Sequence, residues 1–303
     1  MTVTIQRKDH LDPIAVSILL ACCALWGFQQ VLVKATLAEV PPNLQAGLRF
    51  AGASFFLWLW CLWRKIPLWQ RDGTLLPGLL TGGFFALEFF CLFSGMQYSA
   101  ASRLTVFVYT APLWVALILP WIVKSERLSA VQWLGLVFAF GAVAFTLREG
   151  FLQELTPLQH WGDLLGVGGG ICWAITTIVI RTTAMAKASA EKMLFYQVGV
   201  SAIALLLLSY FSNEVWQGSW SSFALTSLLI QSTAGAFASY LAWMWLLGRY
   251  PATKIGTFAF LTPVFALIFG ALWLGEAVTL SLLGALAMVG VGIALVRRPP
   301  GFE

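Results

Sequence analysis

Ten times along this chain about twenty consecutive residues are almost wholly apolar, and that recurrence constrains the fold more than any motif does. The runs are approximately 13–37, 44–63, 75–97, 101–123, 129–147, 162–184, 190–212, 222–248, 252–274 and 279–297. Twenty apolar residues in a helix match the hydrocarbon thickness of a bilayer. β-barrel strands alternate over about ten residues instead, so a barrel is excluded. Between the runs lie Pro, Gly, Asn and charge clusters such as Pro41-Pro42-Asn43 and Arg64-Lys65-Ile66-Pro67. Only 10% of the 303 residues are charged and 59% are apolar, including 15 tryptophans and 23 phenylalanines. Soluble domains carry roughly 25% charge, so a soluble enzyme, a disordered chain and a secreted disulfide scaffold are all excluded. An all-α membrane protein of ten transmembrane helices is expected.

The net charge of +5 reports orientation, not nucleic-acid binding. With the N-terminus in the cytoplasm, only Lys34, Arg49, Arg103 and Arg148 of the 18 bases fall on the outer side, leaving 14 inside. The acids divide almost evenly and carry little weight in this rule. The expected location is the cytoplasmic (inner or plasma) membrane, multi-pass, with both termini cytoplasmic. Residues 1–12 read as a cytoplasmic tail before a retained span rather than a signal peptide, and 298–303 as a second cytoplasmic tail.

The two halves resemble each other. WGFQQVLVK (26–34) aligns with WAITTIVIR (173–181), so that Trp26 meets Trp173 and Lys34 meets Arg181. Residues 82–117 align with 235–267, pairing Gly95 with Gly248 and Pro112 with Pro263. Further on, Glu126 pairs with Glu276. The repeat unit holds five spans, an odd number, so the second copy must cross in the opposite sense. Two inverted-topology five-helix repeats around a central cavity follow, residues 13–147 and 162–297, joined by an extracytoplasmic linker over 148–161.

The TAPLW…SERLS segment (110–129), its counterpart LTPVF…GEAVT (261–279) and the duplicated five-span unit resemble the drug/metabolite transporter superfamily, specifically EamA-type exporters. The resemblance covers nearly the whole chain. It implies ten helices in a basket around a cavity, alternating access, and export of metabolites such as amino acids. It also implies that the fifth and tenth helices lie at the periphery and help pair protomers, so a homodimer and a monomer both stay open.

Glu88 lies mid-span in FFALEFFCLF. A carboxylate at that depth is costly unless paired, hydrated or protonated; it reads as a cavity acid that meets a substrate amine or carries a proton, or else as a brace for the third helix. Trp26 and Trp173 lie too deep for an interfacial belt and offer π faces to a cationic or aromatic solute, or fill the bundle. Gln29, Gln30, Thr176 and Thr177 follow on the same helices, as solute hydrogen-bonders or interhelical contacts. Tyr109, Tyr196, Gln197, Tyr240 and Trp243 form a second tier of polar-tipped cavity candidates. Arg49, Lys34 and Arg103 lie near the outer side, where snorkelling explains them. Pro112 and Pro263 sit inside spans and mark bending points for gating, with a static curved wall as the alternative.

Several chemistries find no residues. Cys22, Cys23, Cys61, Cys91 and Cys172 lie in apolar runs without a CxxC pair, and neither His10 nor His160 falls in a span, so a metal or redox site and an intramembrane serine protease are both unsupported. The glycines at 166 and 168–170 do not make a GxGxxG or P-loop pattern and serve close helix packing. Glu126 and Glu276 follow helix ends as caps or loop anchors. No cofactor is expected. The expectation is therefore a non-enzymatic secondary active transporter of small amphipathic or aromatic metabolites, its partners a lipid bilayer and a small-molecule substrate. A sugar-phosphate or nucleotide-sugar exchanger, with Lys254 and Arg103 as its bases, and an organic-cation exporter are the alternatives within transport; a channel is the alternative outside it.

Overall fold

The structure, a computed structural model, describes residues 11–99, 104, 107–146, 156–216 and 219–274, together with 288, 291, 292 and 295. All of the regular structure among them is helical. Helix α1 is Pro13–Thr36, α2 Pro42–Arg64, α3 Leu75–Tyr98, α4 Ala111–Ile122, α5 Ala130–Thr146, α6 Pro157–Thr182 and α7 Ala190–Phe211. Helix α8 runs through three joined segments, Ser222–Ile230, Gln231–Ser239 and Tyr240–Arg249; α9 comprises Ala252–Phe258 and Leu261–Leu274. Six of the helical stretches are long and apolar enough to cross a membrane. The tenth run, 279–297, lies almost wholly outside the described residues, as do Arg103, Glu276 and His10.

Helix starts follow from local chemistry. Asp12 accepts a hydrogen bond from the Ala15 amide at 2.9 Å with Pro13 at the first helical position. Thr156 and Gln159 cap α6 reciprocally, and Ser189 and Ser221 cap α7 and α8. Each such cap satisfies amides that lipid cannot and contributes about 1 kcal/mol. Outside the bundle, side chains such as Trp63, Leu79, Trp121, Ile203 and Phe211 are exposed. Water would penalise such a surface, whereas hydrocarbon solvates it.

The second half runs opposite to the first. The Arg181 guanidinium, at the end of α6, donates to Leu247 O near the end of α8 at 3.0 Å. Tyr250, just past α8, bonds Asp12 at the start of α1 at 2.8 Å. The C-terminus of α6 therefore shares an end of the bundle with the N-terminus of α1, whose counterpart α6 is. Packing keeps the same exchange: α3 lies on α6 and α7 while α8 lies on α1 and α2, α4 packs on α6 as α9 does on α1, and α2 meets α7 directly.

Glycines stand at close approaches between helices. A Cβ on Gly27 would lie 2.5 Å from Phe265 Cβ on α9, and one on Gly170 would lie 2.7 Å from Thr110 Oγ1 beside α4. The Gly170 contact falls at a break in the partner chain segment, whereas Phe265 lies within the second segment of α9. Tyr109 and Thr110 form a turn ahead of α4, and Ala259 and Phe260 interrupt α9. Pro112 and Pro263 thus stand in the first turn of a new helical segment, where a missing amide costs little, rather than kinking a continuous helix.

Three anchors tie the ends. The Glu126 carboxylate pairs with Arg181 and also accepts from the Ala252 amide (3.2 Å), the Thr253 amide (3.2 Å) and Thr253 Oγ1 (3.0 Å), capping α9. Both partners are buried. At the same end Lys192 meets Asp72 at 2.8 Å, and with Thr74 it holds the Asp72 carboxyl down at about 2. At the opposite end Glu214 accepts from the first amides of α2.

Candidate functional site

A cavity of about 70 Å³ lies in the middle of the bundle, walled by α1, α2 and α3 of the first half and α6, α7 and α8 of the second. Its chemistry is built from helix positions related by the repeat. Trp26, Gln29, Gln30 and Val33 on α1 face it, as do Trp173, Thr176, Thr177 and Ile180, which stand 147 residues later on α6. Arg49, the eighth residue of α2, lines the cavity, and so does Gln197, the eighth of α7. Helix α3 presents Phe85, Glu88, Phe89, Leu92 and Phe93, a stripe at i, i+3, i+4, i+7 and i+8.

Of the ten residues expected at a cavity, Trp26, Gln30, Glu88, Tyr109, Trp173, Thr177, Gln197, Tyr240 and Trp243 line this one. Tyr196 does not. It lies one position before Gln197, so its ring turns aside and packs over Gly78 of α3. The wall is a chain of aromatic contacts: Trp26 to Trp243 at 5.0 Å between centroids, Trp26 to Tyr240 at 5.7 Å, Tyr109 to Trp173 at 5.2 Å. The Trp26 indole N–H donates to Ser239 Oγ at 2.8 Å, which fixes the ring and leaves its face to the cavity.

Against this aromatic wall stand polar groups whose hydrogen-bonding capacity the protein does not use. Glu88 is 6% exposed and its Oε2 has no partner. Gln197 is fully buried with both amide atoms unpartnered, and Thr176 Oγ1 is likewise unpartnered. Buried polar groups are ordinarily satisfied, because an unpaired one costs about 1–3 kcal/mol. Several orphans converging on one cavity are the signature of a site completed by something that enters it. Thr177 bonds its own helix at Trp173 O instead, at 3.1 Å.

Arg49 differs from the sequence expectation. It does not snorkel: it is 2% exposed and lines the cavity. One of its amino groups donates to Gln29 Oε1 at 3.2 Å and to the Tyr240 hydroxyl at 2.5 Å. The α2–α7 correspondence is the sequence signal that would have found it, since its partner position, Gln197, was already a candidate. Lys34, the other described base expected on the outer side, donates to Met96 O at 2.8 Å. Gln29 also reaches the widened segment of α8, donating to Gln231 O at 3.3 Å opposite Gly235, where any Cβ would overlap its amide. Such π-helical turns concentrate at functional sites.

Known proteins of similar sequence are transporters by name. The profile of the EamA-like transporter family matches residues 13–148 and 160–298. An uncharacterized transporter of Bacillus subtilis, YvbV, is 26% identical over 275 residues, covering 90% of this chain and 88% of its own. Chains described as probable amino-acid metabolite efflux pumps, from Salmonella typhimurium (27% identical) and Escherichia coli (25%), each match over 95% of both proteins. A crystal structure 18% identical in sequence superposes with a TM-score of 0.76 over 93% of this chain and 97% of that one, which establishes the shared fold.

Proposed function

Because this chain belongs to the EamA-like transporter family, we propose that it is a secondary active transporter exporting small amphipathic metabolites, amino acids foremost, by alternating access to the central cavity. The observation that carries the reading is the cavity itself: buried, aromatic on its walls, and holding unpartnered polar groups contributed by both halves. Inverted halves give such a protein two equivalent ways to pack, one open to each side. The breaks beside Pro112 and Pro263 are where the helices change direction between them. Trp26, Trp173 and Trp243 bear on the solute's apolar part, Glu88, Gln197 and Thr176 on its polar part, and Glu88 is the group that takes a proton where export is proton-coupled. The distribution of bases supports a cytoplasmic-membrane location with both termini inside.

A sugar-phosphate exchanger is disfavoured by the lining, since phosphate recognition uses several converging bases and Arg49 alone faces this cavity among the described residues. Lys254 is not part of the wall.

The binding reading is tested by thermal unfolding of the purified protein against a panel of amino acids, aromatic metabolites and organic amines. A ligand that binds the folded form at a hundred times its Kd stabilises it by about 2.7 kcal/mol, so a selective rise in Tm with one chemical class is expected. A flat panel, or an equal shift with every solute, rejects a built solute site.

A further inference from the structure

Resting on that transport reading, we propose that Arg49 is the specificity-determining residue of the site: it reads an anionic carboxylate on the solute. The exported class is then zwitterions with an apolar side chain, and amines without a carboxylate are excluded.

The two buried arginines of the described residues make the case by contrast. Arg181 is neutralised by Glu126 and capped into the helix ends around it. Arg49 is equally buried, yet no carboxylate among the described residues lies within ion-pair distance of it. Its charge is held instead by rings. The centroids of Phe50, Phe89, Phe93 and Tyr240 lie 5.3, 5.1, 6.0 and 5.4 Å from the guanidinium carbon. Faces of aromatic rings stabilise a cation without consuming its hydrogen-bond donors. Gln29 and Tyr240 take only one of the two amino groups; Nε has no partner in either arginine, so the contrast is the carboxylate that Arg181 has and Arg49 lacks. A guanidinium kept charged, desolvated and part-used is a fork waiting for a planar bidentate acceptor, which a carboxylate is.

Glu88 supplies the complement. It faces the same cavity from α3 and makes no ion pair with Arg49; its Oε2 is unpartnered. Had the two paired, the cavity would hold no net demand for a charged solute. Held apart, they match opposite charges on one small molecule, the carboxylate toward α2 and the ammonium toward α3. Gln197 on α7, at the repeat-equivalent position and lining the same cavity, offers both a donor and an acceptor. The aromatic wall from Trp26 to Trp173 takes the side chain. A solute bearing only an amine would meet Glu88 but bring no anion to Arg49, leaving two cations in a desolvated space, which is repulsive at short range.

The test uses the full-length protein in liposomes with three probes of equal ring size: phenylalanine, phenethylamine, which lacks the carboxylate, and phenylpropionate, which lacks the amine. The wild type is expected to move phenylalanine at least about 100-fold faster than phenethylamine, the ratio a lost buried charged contact produces. Arg49→Gln is expected to lose phenylalanine flux by a similar factor and with it the discrimination; Arg49→Lys, which keeps the charge but not the fork, falls between. Phenylpropionate is expected to bind, and to lose that binding in Arg49→Gln. Should Arg49→Gln not fold, the ratio of the probes on the wild type decides alone. Phenethylamine moved as fast as phenylalanine overturns the role of Arg49 while leaving transport standing. Movement of none of the three overturns both.

Discussion

Glu88→Gln is expected to abolish transport or slow it by about 100-fold or more while leaving the protein folded. The two halves of that expectation have different sources. Glu88 Oε2 has no hydrogen-bond partner among the described residues, so the neutral isostere breaks no hydrogen bond at that oxygen and removes a buried charge; its effect on stability is expected to stay within about 1 kcal/mol. Transport loses the one acid that lines the cavity among the described residues, and with it the group that meets a solute ammonium or carries a proton. Truncating one partner of a desolvated charge pair costs roughly 2–5 kcal/mol. The variant is checked by flux in liposomes alongside its thermal unfolding curve. Flux equal to wild type would remove Glu88 from the mechanism, and a collapsed unfolding curve would make it the brace of α3 instead.

The second large effect is on stability. Glu126→Ala strips the carboxylate from Arg181 and from the amides that open α9. Breaking a buried pair on one side leaves an uncompensated charge and costs about 3–5 kcal/mol. Glu126→Ala is expected to lower the unfolding temperature strongly, and the double change Glu126→Ala with Arg181→Ala less so, because no orphan charge remains. Unfolding of purified wild type, single and double variants measures this. A single variant as stable as wild type would mean that the pair holds nothing.

The pattern of apolar runs made the class of fold legible from residues alone, because lipid imposes length and polarity rules that soluble cores do not. The lining of the cavity was legible where the repeat made it so: Trp26 and Trp173 head equivalent helices, and Gln30 and Thr177 follow them by the same spacing. Glu88 announced itself by depth. Arg49 was missed because distance from the membrane edge does not tell which way a side chain turns; its inward rotamer is set by rings on α3 and α8 that no local rule connects to α2. Tyr196 was over-read for the same reason, its helix face being decided by the close approach of α7 to Gly78 and Gly82. Pro112 and Pro263, expected as bending points inside spans, each stand in the first turn of a helical segment, because whether a proline bends a helix or begins one depends on the turn before it.

Counterflow measures the central claim most directly. Liposomes containing the protein are loaded with unlabelled phenylalanine, and entry of labelled phenylalanine from outside is followed. A carrier that exposes one cavity alternately to the two sides predicts saturable entry, a transient accumulation of label above equilibrium, and loss of both in Glu88→Gln. Entry that rises linearly with concentration and is indifferent to the internal solute would contradict alternating access and mark the cavity as a continuous pore.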